Sequence, residues 1–427
     1  MFEIRGKYTT AKIMSSSLEE ECHQQIETMV NHSFFQNPVV IMPDVHKGKG
    51  SVIGFTMPLT DRVIPNVIGV DIGCGMLTAE IGSKLPLSFD KLDKIIRQNV
   101  PLGHKTHGKA VVRKLDYKEP ADMLRRFIMA YNKKTGKNFG IEKYNDNWLK
   151  EKFAMTGADP SGFFRSIGTL GGGNHFIEIG KGSDNYFLTI HSGSRNFGLK
   201  IAEYWQREAV HLLQQPEEDY DIKVQEILET VKEKKKAGKM IRKLRRQGTA
   251  GKNRELAGLT GEAMMGYLTD MVFAQYYAHL NRLTMLELIT NSICAEVSRT
   301  IESVHNYIDF RDFIIRKGAI RSYRDEEMII PFNMRDGILL CRGKSNQDWN
   351  LSAPHGAGRV FSRSRAMKEI KLEDFKKSME GIYSSSVSST TIDESPFAYK
   401  SAAMIEKAIE PTAEIIDRIV PVYNLKA

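Results

Sequence analysis

One recurring feature narrows the folds open to this chain: a short apolar run, then a glycine-rich turn that carries a histidine, cysteine or aspartate. Residues 38–80 contain the runs PVVIMP, SVIGFTMPL and VIPNVIGVDIG, broken by Gly, Pro and Asp. That is the pattern of buried strands joined by tight turns. The segments around FIEIG and YFLTIHSGS repeat it, and a further strand-rich part is expected from Gly318 to about Arg342. Between Leu199 and Ile301 the period becomes helical. In GEAMMGYLTDMVFAQYYAHLNRLTMLELITNSI apolar residues recur every three or four positions, and its Met and aromatic residues are expected in the core. A helical hairpin fits this part, and an amphipathic helix is expected from Ala402 to about Arg418, ahead of the tail PVYNLKA. With 41% of 427 residues apolar, the chain can bury a sizeable core. No repeat, low-complexity tract or Pro- or Ser-rich linker divides it. The expectation is a single α+β domain over residues 1–427, with mixed and antiparallel sheets around a cleft and a helical, basic excursion at 200–300.

No segment approaches the roughly 18 to 20 apolar residues that a membrane helix needs. The start, MFEIRGKYTT, lacks the apolar core of a secretory signal. A cytoplasmic protein without a membrane partner is expected. Four cysteines are too few for a disulfide framework in a chain of this length, so free thiols are expected. Cys22, Cys294 and Cys341 read as buried small hydrophobes, and Cys74 stands apart through its neighbours. The net charge of +9 favours an anionic partner, and the charge is uneven: from Lys232 to Arg254 eleven residues are Lys or Arg against the single acid Glu233. That run reads either as a solvated face or as an arm that meets polyphosphate.

The chemistry-bearing residues sit in five turns: PDVHKGKG (Asp44, His46), GVDIGCGM (Asp71, Cys74), GTLGGGNHFIE (Asn174, His175, Glu178), LTIHSGSRNFG (His191, Arg195) and SAPHGAGR (His355, Arg359). His305, in ESVHNYI, is a further candidate at what reads as a helix end. Asp71 and Cys74 are three apart around glycine, so a tight turn can aim a carboxylate and a thiolate at one point. Imidazoles from His175, His191 and His305 could complete a metal site there, and a thiolate can bridge two ions. The plainer alternative is a turn fixed by glycine with Cys74 merely buried. Ligand chemistry alone favours Zn²⁺, with Mn²⁺ or Fe²⁺ open through Asp71. In SAPHGAGRVFSRSR, Gly356, Ala357 and Gly358 leave room for a phosphate to reach backbone N–H groups, while Arg359, Arg363 and Arg365 supply charge. A neutral imidazole at the edge of that cradle could attack an α-phosphate and form a phosphoramidate.

Together MPDVHKGKG, GVDIGCGM, GTLGGGNHFIE, HSGSR, VHNY, HGAGR and DESPFAYK resemble the signature segments of the RtcB RNA ligases, in family order from residue 42 to residue 400. The resemblance implies a cleft that binds metal and nucleotide, and a GTP-dependent ligase with two Mn²⁺ ions. Such an enzyme opens a 2′,3′-cyclic phosphate to a 3′-phosphate, activates it with GMP and joins it to a 5′-hydroxyl, in RNA repair or tRNA splicing. It implies His355 as the guanylylated nucleophile, Cys74 as bridging thiolate, Asp71 and His175 as ligands of one ion, and His191 and His305 as ligands of the other. Asn174, Phe176, Glu178, Gly356, Ala357, Gly358, Arg359, Tyr399 and Lys426 would contact the guanine nucleotide. Arg195 would hold an RNA phosphate, with Asp44 and His46 near the incoming end. An archease-type activator is known for some members.

Two other functions remain open on the sequence: a metal-dependent RNA end-processing hydrolase or cyclic phosphodiesterase, and a non-catalytic RNA-binding protein. The chain also departs from the family pattern. Where many members carry a Pro-Gly-Ser-Met-Gly turn it has PFNMRDG, with Phe332, Asn333 and Arg335 in place of small residues, which alters a turn expected near the nucleotide.

Overall fold

The computed structural model describes residues 1–214 and 253–426, together with positions 225, 227, 230, 231 and 237–241. Most of the basic run, and with it the turn of the expected hairpin, lies outside the described residues.

Two sheets carry the architecture, and the fold is α+β. The larger has seven strands in the spatial order Arg299–Val304, Gly75–Glu80, Tyr186–Ser192, Phe176–Lys181, Ala413–Lys426, Ile338–Gly343 and Glu327–Pro331, all paired antiparallel. The other has six, ordered Phe2–Arg5, Thr10–Ile13, Val39–His46, Ile53–Pro58, Ile314–Lys317 and Asn306–Asp309. Thr10–Ile13 runs parallel to Val39–His46 and the remaining pairs are antiparallel, so this sheet is mixed.

The period of two along the central strands of the larger sheet divides core from site. Leu77, Ala79, Ile177, Ile179, Leu188 and Ile190 point to one layer, where they meet Leu92 and Ile96 of the helix Phe89–Asn99 and Met285, Leu286, Ile289 and Ile293 of the helix Gly261–Ile293. Met76, Phe176 and Phe187 point the other way, and His191, the cross-strand partner of Met76 and Phe176, shares their face. The long helix is apolar nearly all round, and it is enclosed accordingly between this sheet and the helix Arg195–Gln214. It stops at Cys294, whose φ of 53° is left-handed and whose side chain is exposed, so this thiol is not the buried hydrophobe expected. Cys22 and Cys341 are buried.

The C-terminal expectation needs correction. The helix that starts at Ala402 ends at Ile409, and Ala413–Lys426 is a strand. Pro411 offers no amide donor to continue the helix, and the β-branched Ile415, Ile416, Ile419 and Val420 fit a strand paired on both sides. Pro421 sits at a register shift, where its missing N–H is tolerated. This strand returns Asn424 and Lys426 to the centre of the sheet, opposite Glu178 and Phe176. No helix among the described residues is long and apolar enough to cross a membrane.

Candidate active site

Strand register assembles the site. Gly75 pairs with Val304 at the end of one ladder, and just beyond it the His305 N–H donates to the Cys74 carbonyl at 2.9 Å. His305 therefore lies between two strands, Arg299–Val304 and Asn306–Asp309, and not at a helix end as expected. His191 pairs with both Met76 and Phe176, which sets it beside Cys74 and beside His175, the residue before its own strand. Asp71 is turned back onto the same point by a bond from the Cys74 N–H to its carbonyl at 3.2 Å.

The five side chains converge in two triads that share one sulfur: Asp71, Cys74 and His175, and Cys74, His191 and His305, with the ligand atoms of each within 4.8 Å of one another. Cys74 Sγ lies 3.6 Å from His175 Nε2 and 3.3 Å from His191 Nε2. His175 Nε2 is 3.0 Å from Asp71 Oδ2, and the Nε2 atoms of His191 and His305 face each other at 3.3 Å. The far nitrogens of two of the three histidines are spoken for in the way metal-bound histidines are: His175 Nδ1 donates to the Leu170 carbonyl at 2.8 Å, and His191 Nδ1 to that of Asn174 at 3.2 Å, whereas His305 Nδ1 is buried without a partner. Burial first, and neighbouring imidazoles second, hold His191 and His305 far below the usual imidazole range, so both are neutral donors. Burial and the Asp71 charge push the Cys74 thiol up, while hydrogen bonds and charge from His175 overcome burial and hold Asp71 at about 2. Neutral imidazole nitrogens converging with a sulfur and a carboxylate in a buried site are a donor set for cations, which fits the two ions expected.

A layer that the sequence assigns only to core fixes this geometry. Arg282, 1% exposed in the middle of the long helix, donates through Nη1 to the Gly73 and Ser192 carbonyls at 2.8 and 2.7 Å. Those carbonyls flank Cys74 and His191. Its remaining nitrogens pair with Glu302, which is held at about 2 despite burial, chiefly by the Arg282 charge. The adjacent Asn281 accepts from the Gly168 and Thr169 N–H groups and donates to the Gly193 carbonyl. A Cβ on Gly193 would lie 2.1 Å from Asp71 Oδ1, so that close approach requires glycine.

His355 is brought alongside by a separate antiparallel strand pair, Ala319–Arg321 with Ser352–Pro354. Pro354 pairs with Ala319, and the Gly318 N–H donates to the His305 carbonyl at 2.7 Å, which sets the His305 and His355 rings 5.0 Å apart. Asp44, fully buried, accepts from His355 Nδ1 at 2.6 Å and from the His355 N–H at 3.2 Å through the same oxygen. An ionised carboxylate can only accept, so Nδ1 carries the proton and Nε2 is the free nucleophilic nitrogen. Asp44, with no exposed surface, thus stands directly behind His355. His46 stacks near His355, its ring centroid 6.5 Å away, and burial lowers it to about 4. Gly358, at φ +72°, passes so close to Asp44 that a Cβ would sit 2.2 Å from the Asp44 carbonyl oxygen.

Beside the ligand cluster opens a cleft of about 470 Å³, a size suited to a nucleotide. His191, His305, His355, Phe176, Glu178 and the 356–358 loop line it, as do Asn174, Arg359, Tyr399 and Lys426. Glu178 is 2% exposed; Asn424 donates to its Oε2 at 2.7 Å, its Oε1 has no partner, and burial raises it to about 8. Glu394, absent from the residues singled out in the sequence, is a second buried carboxylate of the cleft. It takes Lys426 Nζ at 2.7 Å, Arg363 at 2.8 Å and the Tyr399 hydroxyl at 2.8 Å, with Arg359 at 3.4 Å, and this cationic ring overcomes burial to hold it at about 2. Arg359 and Arg363 are thereby part of the cleft wall. The departing turn is there as well: Phe332 is buried against the cleft, and Asn333 Oδ1 accepts from the Arg335 and Asp336 N–H groups.

A family model described as tRNA-splicing ligase RtcB matches residues 25–427. The chain belongs to the RtcB family. Among curated relatives, the RNA-splicing ligase RtcB of Escherichia coli K12 is 30% identical, the alignment covering 93% of this chain and 92% of that protein. The tRNA-splicing ligases RtcB of Aeropyrum pernix and Thermococcus kodakarensis are 26% and 24% identical, covering 84% and 90% of this chain and 82% and 86% of their own. This RtcB-family chain unites sixteen of the eighteen residues expected at the site in the ligand cluster or on the cleft wall. Asp44 stands behind His355, and His46 lies at the cleft. Arg195 lies off the cleft, where its guanidinium donates to the Thr169 hydroxyl and the Gly103 carbonyl, both at 3.2 Å.

Proposed function

We propose that this chain is a GTP- and Mn²⁺-dependent RNA ligase, one domain over residues 1–427, that joins RNA 3′-phosphate or 2′,3′-cyclic phosphate ends to 5′-hydroxyl ends through a guanylylated His355. The observation that carries the reading is the placement of His355, its Nδ1 held by Asp44 and its ring 5.0 Å from that of His305, between a two-triad donor cluster and a nucleotide-sized cleft. RtcB ligases act on RNA, and membership of that family supports an RNA substrate.

In this reading His355 Nε2 attacks the α-phosphorus of GTP, forming an N–P bond and expelling pyrophosphate. Asp44 stabilises the imidazolium that results. A 3′-phosphate oxygen of the RNA then takes the GMP, returning His355 to its neutral form, and the 5′-hydroxyl displaces GMP to seal the strand. Two ions, one held by Asp71, Cys74 and His175 and one by Cys74, His191 and His305, would neutralise phosphate charge and lower the pKa of the attacking hydroxyl. Glu178 and Asn424 meet the base, Phe176 and the 356–358 loop pack the nucleotide, and Glu394 fixes Lys426, Arg359 and Tyr399 around it. Incubation with α-labelled GTP and Mn²⁺, followed by a denaturing gel and tryptic mapping, tests the reading. Acid-labile, base-stable label on the peptide carrying His355 is expected; label elsewhere, or label that survives His355→Ala, refutes it.

A further inference from the structure

We propose that the loop 101–114 is the surface along which an RNA strand reaches the ligand cluster, its phosphodiester backbone meeting Lys105, Lys109, Arg113 and Lys114. The inference rests on the ligase reading, which requires an RNA end at the cluster while the guanine nucleotide fills the cleft.

Four of the five ligand residues are closed to solvent, with exposures of 3 to 5%, whereas the Asp71 side chain is 30% exposed and does not line the cleft. The cluster thus opens on a second side. Arg195 stands there: its guanidinium lies over Gly171, where a Cβ would be 1.6 Å from Nη1, and its Nη2 donates to the Gly103 carbonyl at 3.2 Å. The Gly103 N–H in turn donates to the Gly171 carbonyl at 2.9 Å, the His107 N–H to that of Arg165 at 3.0 Å, and His107 Nε2 to that of Gly168 at 3.0 Å. The loop is therefore bonded directly to the glycine turn that presents His175, and Arg195 is the link.

The segment PLGHKTHGKAVVRK contains four Lys or Arg, two His and no acid. Lys105, Lys109, Arg113 and Lys114 are exposed, and no carboxylate among the described residues pairs with them. Other surface cations are paired, as Lys12 with Asp348, Lys47 with Glu21 and Arg299 with both Glu80 and Glu327, while Lys91 and Lys94 are exposed without such a pair and lie away from the cluster's open side, which makes them the control. Four exposed cations on one acid-free loop, bonded through Gly103 and His107 to the turn that presents His175 and to Arg195, make a positive surface on the side where Asp71 is exposed. A polyanion whose terminus must lie at that point fits it, and cations presented on a surface loop suit a flexible single strand.

The test measures binding of a 3′-phosphorylated single-stranded RNA to the full chain, as a function of salt, for wild type and for K105Q/K109Q/R113Q/K114Q, with K91Q/K94Q on the exposed face of the helix Phe89–Asn99 as control. The expected result is a salt slope reduced by about 2 to 3 in the loop variant, at about 0.7 for each single-strand phosphate left without its cation, with the control at the wild-type slope. Equal slopes for wild type and loop variant, or an equal loss in the control, overturn the proposal. The single variants K105Q and R113Q repeat the test in smaller steps should the quadruple change disturb folding. If wild type seals RNA but the loop variant binds like it, the surface falls and the ligase reading stands. If wild type neither takes GMP nor seals, that reading falls, and a loss of RNA binding confined to the loop variant still supports the surface.

Discussion

Asp44→Asn isolates the part of the proposed mechanism that the geometry specifies most closely. Two donors, His355 Nδ1 at 2.6 Å and the His355 N–H at 3.2 Å, converge on one oxygen of Asp44, so an asparagine must turn its amide oxygen to them. Its NH₂ then takes the place of Asp44 Oδ1, which is buried without a partner. Leaving that donor unsatisfied costs about 1 to 3 kcal/mol. Exchange of a charged for a neutral acceptor removes about a further 1 kcal/mol, and it does so most where the His355 ring becomes cationic. The first term burdens the free and the reacting protein alike and appears as stability; the second, together with the weaker pairing to the imidazolium, falls on the transition state. At about 1.4 kcal/mol per tenfold, the roughly 1 kcal/mol that falls on the transition state slows guanylylation about 5-fold. GTP affinity should hold, since Asp44 does not line the cleft. Single-turnover labelling at saturating GTP, with equilibrium binding of a non-hydrolysable analogue alongside, separates the two. A wild-type labelling rate in D44N would refute the orienting role, and a rate loss wholly explained by weaker binding would place Asp44 in the nucleotide site instead.

Four further outcomes are expected. Cys74→Ala should lose both ions together, because one sulfur belongs to both triads, and elemental analysis showing one ion fully retained would contradict bridging. Glu178 has a folded-state pKa of about 8, raised by burial, so it is protonated near pH 7, whereas guanine offers two N–H donors that an ionised carboxylate pairs best. GTP affinity should therefore rise with pH until about 8 and level off, and Glu178→Gln should bind more weakly with a flat profile in calorimetric titrations. The same raised pKa makes the nucleotide-free fold lose stability between the unfolded value of 4.5 and about 8 as pH rises, and Glu178→Gln should remove that slope in denaturant melts. Arg282→Met should cost about 1 to 3 kcal/mol in denaturant unfolding, since it strips the buried Gly73 and Ser192 carbonyls of their donor and leaves Glu302 to His279 alone, and should weaken metal binding about 10- to 100-fold through the freed carbonyls; an unchanged metal affinity would limit Arg282 to stability.

What is legible in the sequence follows from how each residue does its work. Asp71, Cys74, His175, His305 and His355 stand in turns next to strands and His191 near the end of one, and a strand end is where local pattern and tertiary position coincide. Their convergence on one point is a matter of register, such as Gly75 opposite Val304 and Met76 opposite His191, which no local pattern encodes. The setting of His305 escapes the sequence for that reason: ESVHNYI is too short to distinguish a helix end from a strand junction, and the pairing of Arg299–Val304 with Gly75–Glu80 decides it. The strand Ala413–Lys426 is hidden because its apolar positions also satisfy a helical period until the ladders on either side are known, although Pro411 is a visible signal.

The supporting layer is hidden for a different reason. Arg282 and Asn281 sit inside a helix that otherwise reads as pure core, and Glu394 lies inside the string DESPFAYK without being a ligand or nucleophile. A guanidinium in the middle of an enclosed apolar helix is itself a signal, because a buried charge persists only where it is paired and hydrogen-bonded. Arg282 meets that demand with Glu302 and two carbonyls, and those carbonyls belong to the segments that bear Cys74 and His191. The core helix and the ligand cluster are thus one structure: the residue that would be most costly to bury is buried where it fixes the spacing of two metal donors, which is why the fold can present five ligands from distant segments without a dedicated loop to hold them.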